Sequence, residues 1–480
     1  MRELAGRALN VAQLQGASYA DVRIVRRETQ SIAVKNGQVG ELKQDEDQGL
    51  GVRVIADGAW GFASSALLSL AEAERVARLA VVIARASALV RGEAVSLGQP
   101  EVHVASYRTS VVQDPFAVSL EDKLSLLLAA DAAMRRVQGI RVSEASLEFV
   151  RESKLFASTE GSWVDQVIVE SGGGLEATAV GAGEVQKRSY PNSFGRHQGT
   201  AGYEFILDLD LAGHAQATAE EAGALLSAPL CPSGVMTLVI GGSQLALQVH
   251  ESCGHPTELD RVFGSEASYA GTSFLTPEKL GAFRYGSPLV NLTADATIPG
   301  GLGTFGYDDE GVPAQRTSLV REGIFVGYLT SRETAARLGQ RSNGSMRADG
   351  WNRIPLIRMT NINLEPGTWT LADLLADTGE GLYVETNKSW SIDDRRLNFQ
   401  FGTEVAYAIE HGRLGQLYRN ATYTGITPLF WRSCDAICGP GEWRVWGTPN
   451  CGKGQPSQTA HVGHGTAPAR FRQVQVGVVR

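Results

Sequence analysis

The sequence predicts an α+β protein, with an N-terminal α/β region of antiparallel strands and helices and a C-terminal β-rich domain. The chain has 480 residues, which is too long for one simple core and favours two or three domains. Its first half contains long runs of alternating apolar and polar residues beside runs with helical spacing. Its second half is rich in glycine, turn residues and short strand-like runs, so we expect much antiparallel sheet there.

The first 90 residues predict the order helix, strands, helix. Residues 1–16 have an amphipathic helical pattern, and residues 69–88 form a second, alanine-rich helical pattern. The stretch between them alternates apolar and polar residues. It contains two hairpin turn signals, Asn36-Gly37 and Asp57-Gly58.

The next part of the chain again combines predicted helices and strands. Residues 119–137 predict a helix with Ser119 as its N-cap, strands are expected from 140 to about 205, and a helix is expected near 213–227. A Pro/Gly/Ser-rich stretch at 227–234 is the best domain boundary. We therefore divide the chain into an N-terminal α/β domain, a middle α+β segment packed with it and a C-terminal β-rich domain, at residues 1–118, 119–230 and 231–480.

Composition excludes several classes of protein. The net charge of −8 and the lack of a basic run with interleaved aromatics argue against a nucleic-acid-binding protein. No window approaches the 18 or so consecutive apolar residues of a membrane span, and the first residues lack the apolar region of a signal peptide, so we expect a cytoplasmic protein. Five cysteines in a chain of this length do not form a disulfide framework.

The C-terminal domain begins with an apolar run, "VMTLVIGG", that predicts a buried strand. The next stretch, "SQLALQVHESCGH", predicts a helix with Ser243 as its N-cap. Beyond it, one short helix is predicted at 331–339 and a second at "TLADLLADTG". The remaining residues predict short strands joined by turns.

The segment "HESCGH" has the residue types of a metal site but an unusual spacing. His250 and His255 are five residues apart, whereas the zinc-peptidase motif H-E-x-x-H spaces its histidines by four. In a regular helix, two residues five apart are about 140° apart around the axis and cannot share an ion. The backbone must therefore form a π-bulge or end the helix between them. Gly254 in a left-handed conformation, and Pro256 disfavouring helical geometry at His255, would end it.

Glu251 fits a second role in such a site. A carboxylate beside a ligand histidine is positioned to take a proton from water that the ion has acidified. Two histidines are not enough, because catalytic zinc usually has three protein ligands and an open position. From the residues alone, the third ligand is Glu258, Asp260, Cys253 or a distant side chain.

Several stretches together resemble the TldD/PmbA family of metallopeptidases. They are "GLGVRVIADGAWGFASS" (49–65), "HESCGHPTELD" (250–260), "YDDEGVPAQRTSLVREGIFVGYLTSRETAARLG" (307–339) and "TPNCGKGQPSQ" (448–458). They occur in the family's order almost end to end. Because the chain has both H-E-x-x-x-H and the C-terminal N-C-G-K segment, it resembles the metal-bearing TldD type. Cys253 and Pro256 are local departures from the pattern.

The resemblance implies a ligand set and a chemistry. The implied ligands of one Zn²⁺ per chain are His250, His255 and Cys451, with Glu251 as the general base. Glu258 and Asp260 also match the family pattern, and we expect them to orient the ligands.

The resemblance also implies partners. The family's substrates are unfolded or linear peptides, and its subunits form dimers, either with a PmbA/TldE-like subunit or with themselves. Arg347, Arg358 and Asn361 lie in a stretch typical of the family, "SMRADGWNRIPLIRMTNINLEPG". We expect them to lie on a solvated sheet face, with contact to the peptide as the alternative.

Two other signals predict no site. "GLGTFG" (301–306) matches a dinucleotide-binding pattern, but the acidic residues after it would repel a pyrophosphate, so we expect a glycine-rich loop. Cys434 and Cys438, with His461 and His464, lack the usual zinc spacing and predict buried thiols and surface histidines. Two functions stay open: a zinc-dependent peptidase, or a non-catalytic peptide-binding or maturation subunit that retains the motif as structure.

Overall fold

A computed structural model describes residues 1–90, 92–100, 102–181 and 183–477. Its helices are α1 Arg2–Leu14, α2 Leu70–Ala88, α3 Leu120–Arg135, α4 Glu204–Asp208, α5 Leu211–Leu225, α6 Gly242–Val249, α7 Leu259–Val262, α8 Arg332–Arg337, α9 Leu371–Thr378 and α10 Thr427–Arg432. Its strands up to residue 240 are β1 Tyr19–Lys35, β2 Gln38–Ala56, β3 Ala59–Ser65, β4 Val104–Arg108, β5 Ile140–Ser158, β6 Trp163–Gly181, β7 Glu184–Tyr190, β8 His197–Gly199 and β9 Gly234–Ile240.

The remaining strands are shorter on average and follow the metal-binding motif. They are β10 Leu292–Asp295, β11 Arg316–Arg321, β12 Ile324–Phe325, β13 Met346–Arg347, β14 Leu356–Ile357, β15 Ile362–Leu364, β16 Gly381–Ile392, β17 Asn398–Glu410, β18 Arg413–Tyr418, β19 Thr422–Ile426, β20 Cys434–Ile437, β21 Arg444–Lys453, β22 Gln458–Thr466 and β23 Ala469–Val476. The predicted mixed α+β architecture with a β-rich C-terminal region is confirmed.

The N-terminal sheet has the strand order β3-β2-β1-β5-β6-β4, with β7 and β8 also paired to β6. Both predicted hairpin turns are confirmed: Lys35 pairs with Gln38 and Ala56 with Ala59. All four turn residues have positive φ, as a tight turn between twisted strands requires; they are Asn36, Gly37, Asp57 and Gly58. The sheet continues across residue 118, so the proposed division of the chain there stays a prediction.

One face of this sheet is covered by helices, and the other faces the C-terminal region. Buried apolar residues alternate along β1 and β5, as a half-covered sheet requires; they are Ala20, Val22, Ile24, Ile32 and Val34 in β1 and Ala145, Leu147, Phe149, Leu155 and Ala157 in β5. Helices α1 and α2 pack on one end of this face, and α3 and α5 pack on the other. On the opposite face, Arg53 forms ion pairs with Asp21 at 2.7 Å and with Glu310 of the C-terminal region at 3.2 Å.

The C-terminal region is built around a closed ring of strands. Strands β16, β9, β23, β19 and β17 pair in that order, and β16 also pairs with β17. Helix α6 begins directly after β9 and packs against β16 and β22. This arrangement holds the C-terminal end of α6 beside the hairpin of β21 and β22. In the described part of the chain, no helix is long and apolar enough to span a membrane.

Most helix predictions are confirmed. Ser119 accepts a hydrogen bond from the Asp122 N–H at the start of α3, and α8 and α9 lie where the short helices were predicted. The predicted cap of the motif helix is wrong: α6 begins at Gly242 and its N-cap is Gly241. That glycine cannot be replaced freely, because a Cβ there would lie 2.6 Å from the Tyr383 hydroxyl.

Candidate metal centre

The motif histidines lie in a π-helical turn at the end of α6. The α-helix ends at Val249, residues His250–Gly254 form the π-turn, and His255–Thr257 form a 3₁₀ turn. The His255 N–H donates to the carbonyl of His250, five residues back, so His255 lies above His250. The two imidazole rings are 4.9 Å apart between centroids and nearly perpendicular.

Of the two ways considered for bringing the histidines together, the π-bulge is the observed one. The expectation that a left-handed Gly254 ends the helix is wrong, because Gly254 has φ −70° and ψ −69°. The expectation that Pro256 forces His255 out of helical geometry is also wrong, because His255 has φ −55° and ψ −41°. Gly254 is required for a different reason: a Cβ there would lie 2.3 Å from the sulfur of the buried Met359.

A third side chain reaches the histidines from the C-terminal hairpin. Cys451 lies in β21, opposite Ala460 of β22, next to an irregularity in the pairing after Thr448. Its Sγ lies 3.7 Å from Nε2 of His255. Ligand atoms of His250, His255 and Cys451 all lie within 4.8 Å of one another, and all three side chains are buried.

Partners on the far side of each imidazole fix its orientation. His255 Nδ1 lies 3.0 Å from Glu258 Oε2, and His250 Nδ1 lies 2.8 Å from Nε2 of His464. These contacts leave Nε2 of both rings as the available ligand atom. Burial lowers the pKa of His250, and it lowers the pKa of His255 well below its ordinary value. Both rings are therefore neutral near neutral pH, which is the form that binds metal ions.

The surroundings of Cys451 lower the pKa of its thiol. Burial by itself would raise its pKa, but the charge of Arg358 and the neighbouring His255 lower the pKa below the ordinary value. Arg358 is 1 % exposed and donates hydrogen bonds to the carbonyl oxygens of Cys451 and Gln458. It therefore holds the hairpin as well as lowering the pKa of the thiol.

Behind the ligands lies a buried charge network. Lys453 is fully buried, and its Nζ lies 2.7 Å from Asp260 Oδ1, 2.7 Å from the Ile357 carbonyl and 3.4 Å from Glu258 Oε2. Glu258 thus contacts both a histidine of the motif and a lysine two residues after Cys451. This network joins the π-turn to the hairpin that carries the third ligand.

The chemistry of these residues fits a zinc ion. Two imidazole nitrogens and one thiolate form an accepted catalytic zinc set. With metal–ligand bonds of about 2.0–2.3 Å, tetrahedral ligands lie roughly 3.3–3.7 Å apart. The 3.7 Å between Cys451 Sγ and His255 Nε2 matches this spacing. The outer contacts of both histidines are those that metal ligands usually make.

Glu251 lies in the cavity beside these ligands. The cavity has a volume of about 330 Å³, and His250, Glu251, His255 and Cys451 all line it. Glu251 forms a short ion pair with Arg396, which lies in the turn between β16 and β17. The carboxylate of Glu251 forms no hydrogen bond with His250, His255 or Cys451 in the described structure. It can therefore act on a molecule in the cavity.

The three residues predicted for substrate contact lie elsewhere. Arg358 and Asn361 are buried, so the expected solvated sheet face is wrong for both. Asn361 binds the Gly303 N–H at 2.9 Å. Arg347 is half-buried and donates to the carbonyls of Met359 and His461. None of the three is among the described residues that line the metal-centre cavity. Their contact with a peptide stays a prediction.

Three residues of the centre were given no role in it from the sequence, although Lys453 is the lysine of the N-C-G-K segment. Lys453, Arg396 and His464 contact the motif from positions that no spacing rule connects with it. His464 was expected at the surface, but it is fully buried, so that expectation is wrong. Its burial lowers its pKa well below the ordinary value.

The two other sequence signals, at residues 301–306 and at Cys434 and Cys438, have the outcomes that were expected in most respects. Residues 301–306 form a loop without regular secondary structure, which confirms the glycine-rich loop. Cys434 and Cys438 are buried and free, also as expected. Among the described residues, only one group of His, Cys, Asp or Glu side chains has the geometry to hold an ion, and neither of these thiols belongs to it.

Cys253, the additional thiol in the motif, is also outside that group. It is fully buried behind the π-turn, and the Tyr285 hydroxyl lies 3.1 Å from its sulfur. Burial raises the pKa of Cys253 to about 12. This thiol therefore packs as a small apolar residue.

Fold and site together define a metallopeptidase-type centre, and comparisons with known proteins agree. The chain matches three family models, PmbA/TldA metallopeptidase domain 1, central domain and C-terminal domain, over residues 20–84, 113–227 and 233–477. The chain belongs to the PmbA/TldD metallopeptidase family.

Individual relatives cover nearly the whole chain. A protein named a metalloprotease from Methanocaldococcus jannaschii is 31 % identical over 94 % of this chain and 95 % of its own length. A protein named a metalloprotease TldD homolog from Haemophilus influenzae is 27 % identical over 96 % of this chain and 92 % of its own. The crystal structure of TldE from Thermococcus kodakarensis shares the fold, with a TM-score of 0.79 at 16 % identity, over 99 % of this chain and all of that chain.

Proposed function

We propose that this protein is a zinc-dependent peptidase that hydrolyses unfolded or linear peptides. One Zn²⁺ per chain would be held by His250, His255 and Cys451. The proposal rests on one observation above all: three buried ligand atoms within 4.8 Å of one another share a cavity with Glu251. A zinc relative is also known, since a protein from Saccharolobus solfataricus is named a zinc metalloprotease TldD homolog.

The ion and the protein side chains would supply different parts of the hydrolysis. When bound, zinc polarises a peptide carbonyl and acidifies water. Glu251 takes a proton from the attacking water and returns it to the leaving amine. Arg396 holds the carboxylate of Glu251 in the cavity through their ion pair. Glu258 and His464 orient the two ligand imidazoles, and burial keeps both imidazoles neutral.

An extended peptide suits the wall of the cavity. The cavity wall includes Gly447–Gly452, the part of β21 that carries Cys451. Among the described strands, β21 pairs with β22 alone; on its other edge, the Gly447 N–H donates to Nδ1 of His197. A linear peptide could add to this edge through main-chain hydrogen bonds, largely independent of its sequence.

The assembly is part of the same proposal. The similarity to TldE supports a dimer with a PmbA/TldE-like subunit, with the homodimer as the alternative. Sedimentation of the purified chain, alone and mixed with a TldE-type subunit, distinguishes the two.

The decisive experiment combines metal analysis with hydrolysis of an unstructured peptide. We expect wild type to bind one zinc and to lose activity with a chelator. Glu251→Gln should retain zinc and lose activity by about 10²–10⁴-fold, the contribution of a general base. Cys451→Ala should lose zinc, whereas Cys434→Ala, a matched buried thiol outside the centre, should not. If Glu251→Gln cleaved at the wild-type rate, or wild type bound no zinc, the non-catalytic peptide-binding or maturation subunit would be the better account.

A further inference from the structure

Two exposed aromatic side chains line the metal-centre cavity, and the chemistry proposed above uses neither. Phe194 comes from the loop after β7, and Trp390 comes from β16; both line the cavity with the metal ligands. Phe194 is 41 % exposed and Trp390 is 46 % exposed. Their ring centroids are 6.3 Å apart, and the rings meet edge to face at 70°. Large apolar surfaces left open beside a reaction centre are typical of binding sites.

The backbone at Phe194 is strained, and its ring contacts Trp390 edge to face and lies 5.0 Å from the Lys187 ammonium group. Phe194 has φ 61° and ψ 23°, in the left-handed region that a bulky residue rarely adopts. Residues of this kind cluster at ligand-binding sites, where the surroundings impose the conformation. The strained conformation leaves Phe194 41 % exposed, so it does not bury the ring fully.

Both neighbours of Phe194 are anchored, which explains how the strained conformation persists. The hydroxyl of Ser193 accepts a hydrogen bond from the Asn387 N–H at 3.0 Å, and Asn192 caps the Ser193 N–H at 2.8 Å. Gly195 packs so closely on β6 that a Cβ would lie 2.7 Å from the Leu175 carbonyl oxygen. The loop is therefore held at both ends, and it presents the ring of Phe194 to the cavity.

The rest of this side of the cavity is suited to an apolar group. Ala246, which is buried, and Leu247, which is partly buried, lie on α6 next to the motif and also line the cavity, as does Pro449 of β21. The apolar surface is thus continuous with the residues that carry the proposed chemistry.

We infer that Phe194 and Trp390 form an aromatic subsite that takes an apolar side chain of the peptide substrate next to the scissile bond. The inference rests on the proposed function for its substrate class. It adds a side-chain preference to a site whose other contacts with the peptide are expected to be main-chain contacts.

Peptide binding tests the subsite without depending on turnover. Glu251→Gln protein is titrated into fluorescein-labelled Gly/Ser-rich peptides that differ at one central position, Leu or Ser, and fluorescence anisotropy gives Kd. We expect the Leu peptide to bind about tenfold more tightly, since partial burial of one apolar side chain accounts for such a preference. Adding Phe194→Gly or Trp390→Ala to this protein should reduce the preference to about twofold or less.

The variants are chosen so that misfolding cannot imitate the result. Glycine adopts φ 61° without strain, so Phe194→Gly should fold at least as well as wild type. Tyr269→Ala, which removes an exposed aromatic outside the cavity, should leave the preference unchanged. An unchanged preference in both Phe194→Gly and Trp390→Ala would overturn the inference. A changed sedimentation coefficient with an unchanged preference would overturn it too, because the rings would then belong to a subunit interface.

Failure of the two proposals can be told apart. If wild type hydrolyses peptides but the preference for the Leu peptide is unchanged in both Phe194→Gly and Trp390→Ala, only the subsite is wrong. If the Leu preference depends on both rings but wild type hydrolyses nothing, the subsite stands and the peptidase proposal fails.

Discussion

Replacing Lys453 with methionine tests whether the buried charge network supports the metal centre. Methionine keeps most of the length and the apolar stem, but it removes the ammonium group. That group has two hydrogen-bond acceptors at 2.7 Å, Asp260 and the Ile357 carbonyl, and it also lies 3.4 Å from Glu258. Because the Lys453 and Glu258 side chains are fully buried and the Asp260 side chain is only 13 % exposed, the variant leaves a largely buried carboxylate without its cation.

The expected magnitude follows from these contacts. Hydrogen bonds to charged groups contribute about 1.5–3 kcal/mol each, and breaking a buried ion pair by removing one partner costs about 3–5 kcal/mol. Glu258 retains Arg261 at 3.8 Å, so the main loss falls on Asp260. We therefore expect Lys453→Met to lower the free energy of unfolding by about 3–5 kcal/mol. Zinc affinity should fall about 10–100-fold, as for other residues that orient metal ligands.

Two measurements check this expectation. Urea denaturation of the zinc-loaded and chelator-treated protein gives the free energy of unfolding, and competition with a chromophoric chelator gives the zinc Kd. Lys43→Met is the control, because its ion pair with Asp45 lies in an exposed part of β2. A Lys453→Met protein with wild-type stability and wild-type zinc affinity would refute the reasoning.

Three further substitutions probe other contacts of the centre. His464→Phe removes the partner of a ligand imidazole, and we expect zinc affinity to fall about 10–100-fold in chelator competition. Gly254→Ala drives a Cβ into the Met359 side chain, and urea denaturation should show a loss of about 1–3 kcal/mol. His461→Gln breaks one contact between the N-terminal sheet and the C-terminal region, in which His461 Nδ1 lies 2.5 Å from Glu170 Oε2. Burial alone would lower the pKa of His461, but Glu170 raises it above the ordinary value. The contact stabilises the folded protein fully below about pH 6.5, the pKa of histidine in the unfolded chain. This stabilisation is lost as the pH rises through the raised pKa of His461 in the folded protein, so the substitution should lower the free energy of unfolding more at low pH.

Matched substitutions control these results. Gly441→Ala adds a Cβ where no atom lies within 4 Å, so it should leave stability nearly unchanged. His411→Gln alters a histidine whose side chain is 96 % exposed, and it should show no comparable pH dependence. Equal effects in test and control substitutions would contradict the roles assigned to Gly254 and His461. Unaltered zinc binding in His464→Phe would contradict the orienting role of His464.

Short-range features of the fold were predictable from the sequence. The hairpin turns at Asn36-Gly37 and Asp57-Gly58 depend on residues that tolerate positive φ, and the start of α3 depends on the Ser119 side chain. In each case the residues that decide the structure are neighbours in the chain. The local sequence is therefore sufficient to predict these turns and this helix start.

The motif itself was predictable only in part. Its spacing required the backbone to deviate between His250 and His255, and the structure has a π-turn there. The residue expected to cause the deviation, Gly254, has ordinary right-handed torsions; packing against Met359, more than 100 positions later in the chain, explains the glycine. Such a contact leaves no local pattern.

By itself, the sequence determined the α+β class and singled out His250, Glu251 and His255 as candidate site residues, because composition, periodicity and motif spacing are properties of the chain alone. Cys451 was a candidate ligand only through the resemblance to the TldD/PmbA family. Only the tertiary structure decided that His464 is buried beside His250, that Lys453 neutralises the carboxylates behind the site, and that Phe194 and Trp390 share the cavity. These contacts join segments far apart in sequence. Their geometry depends on how the strand ring, the hairpin and the N-terminal sheet pack together, which no local pattern encodes.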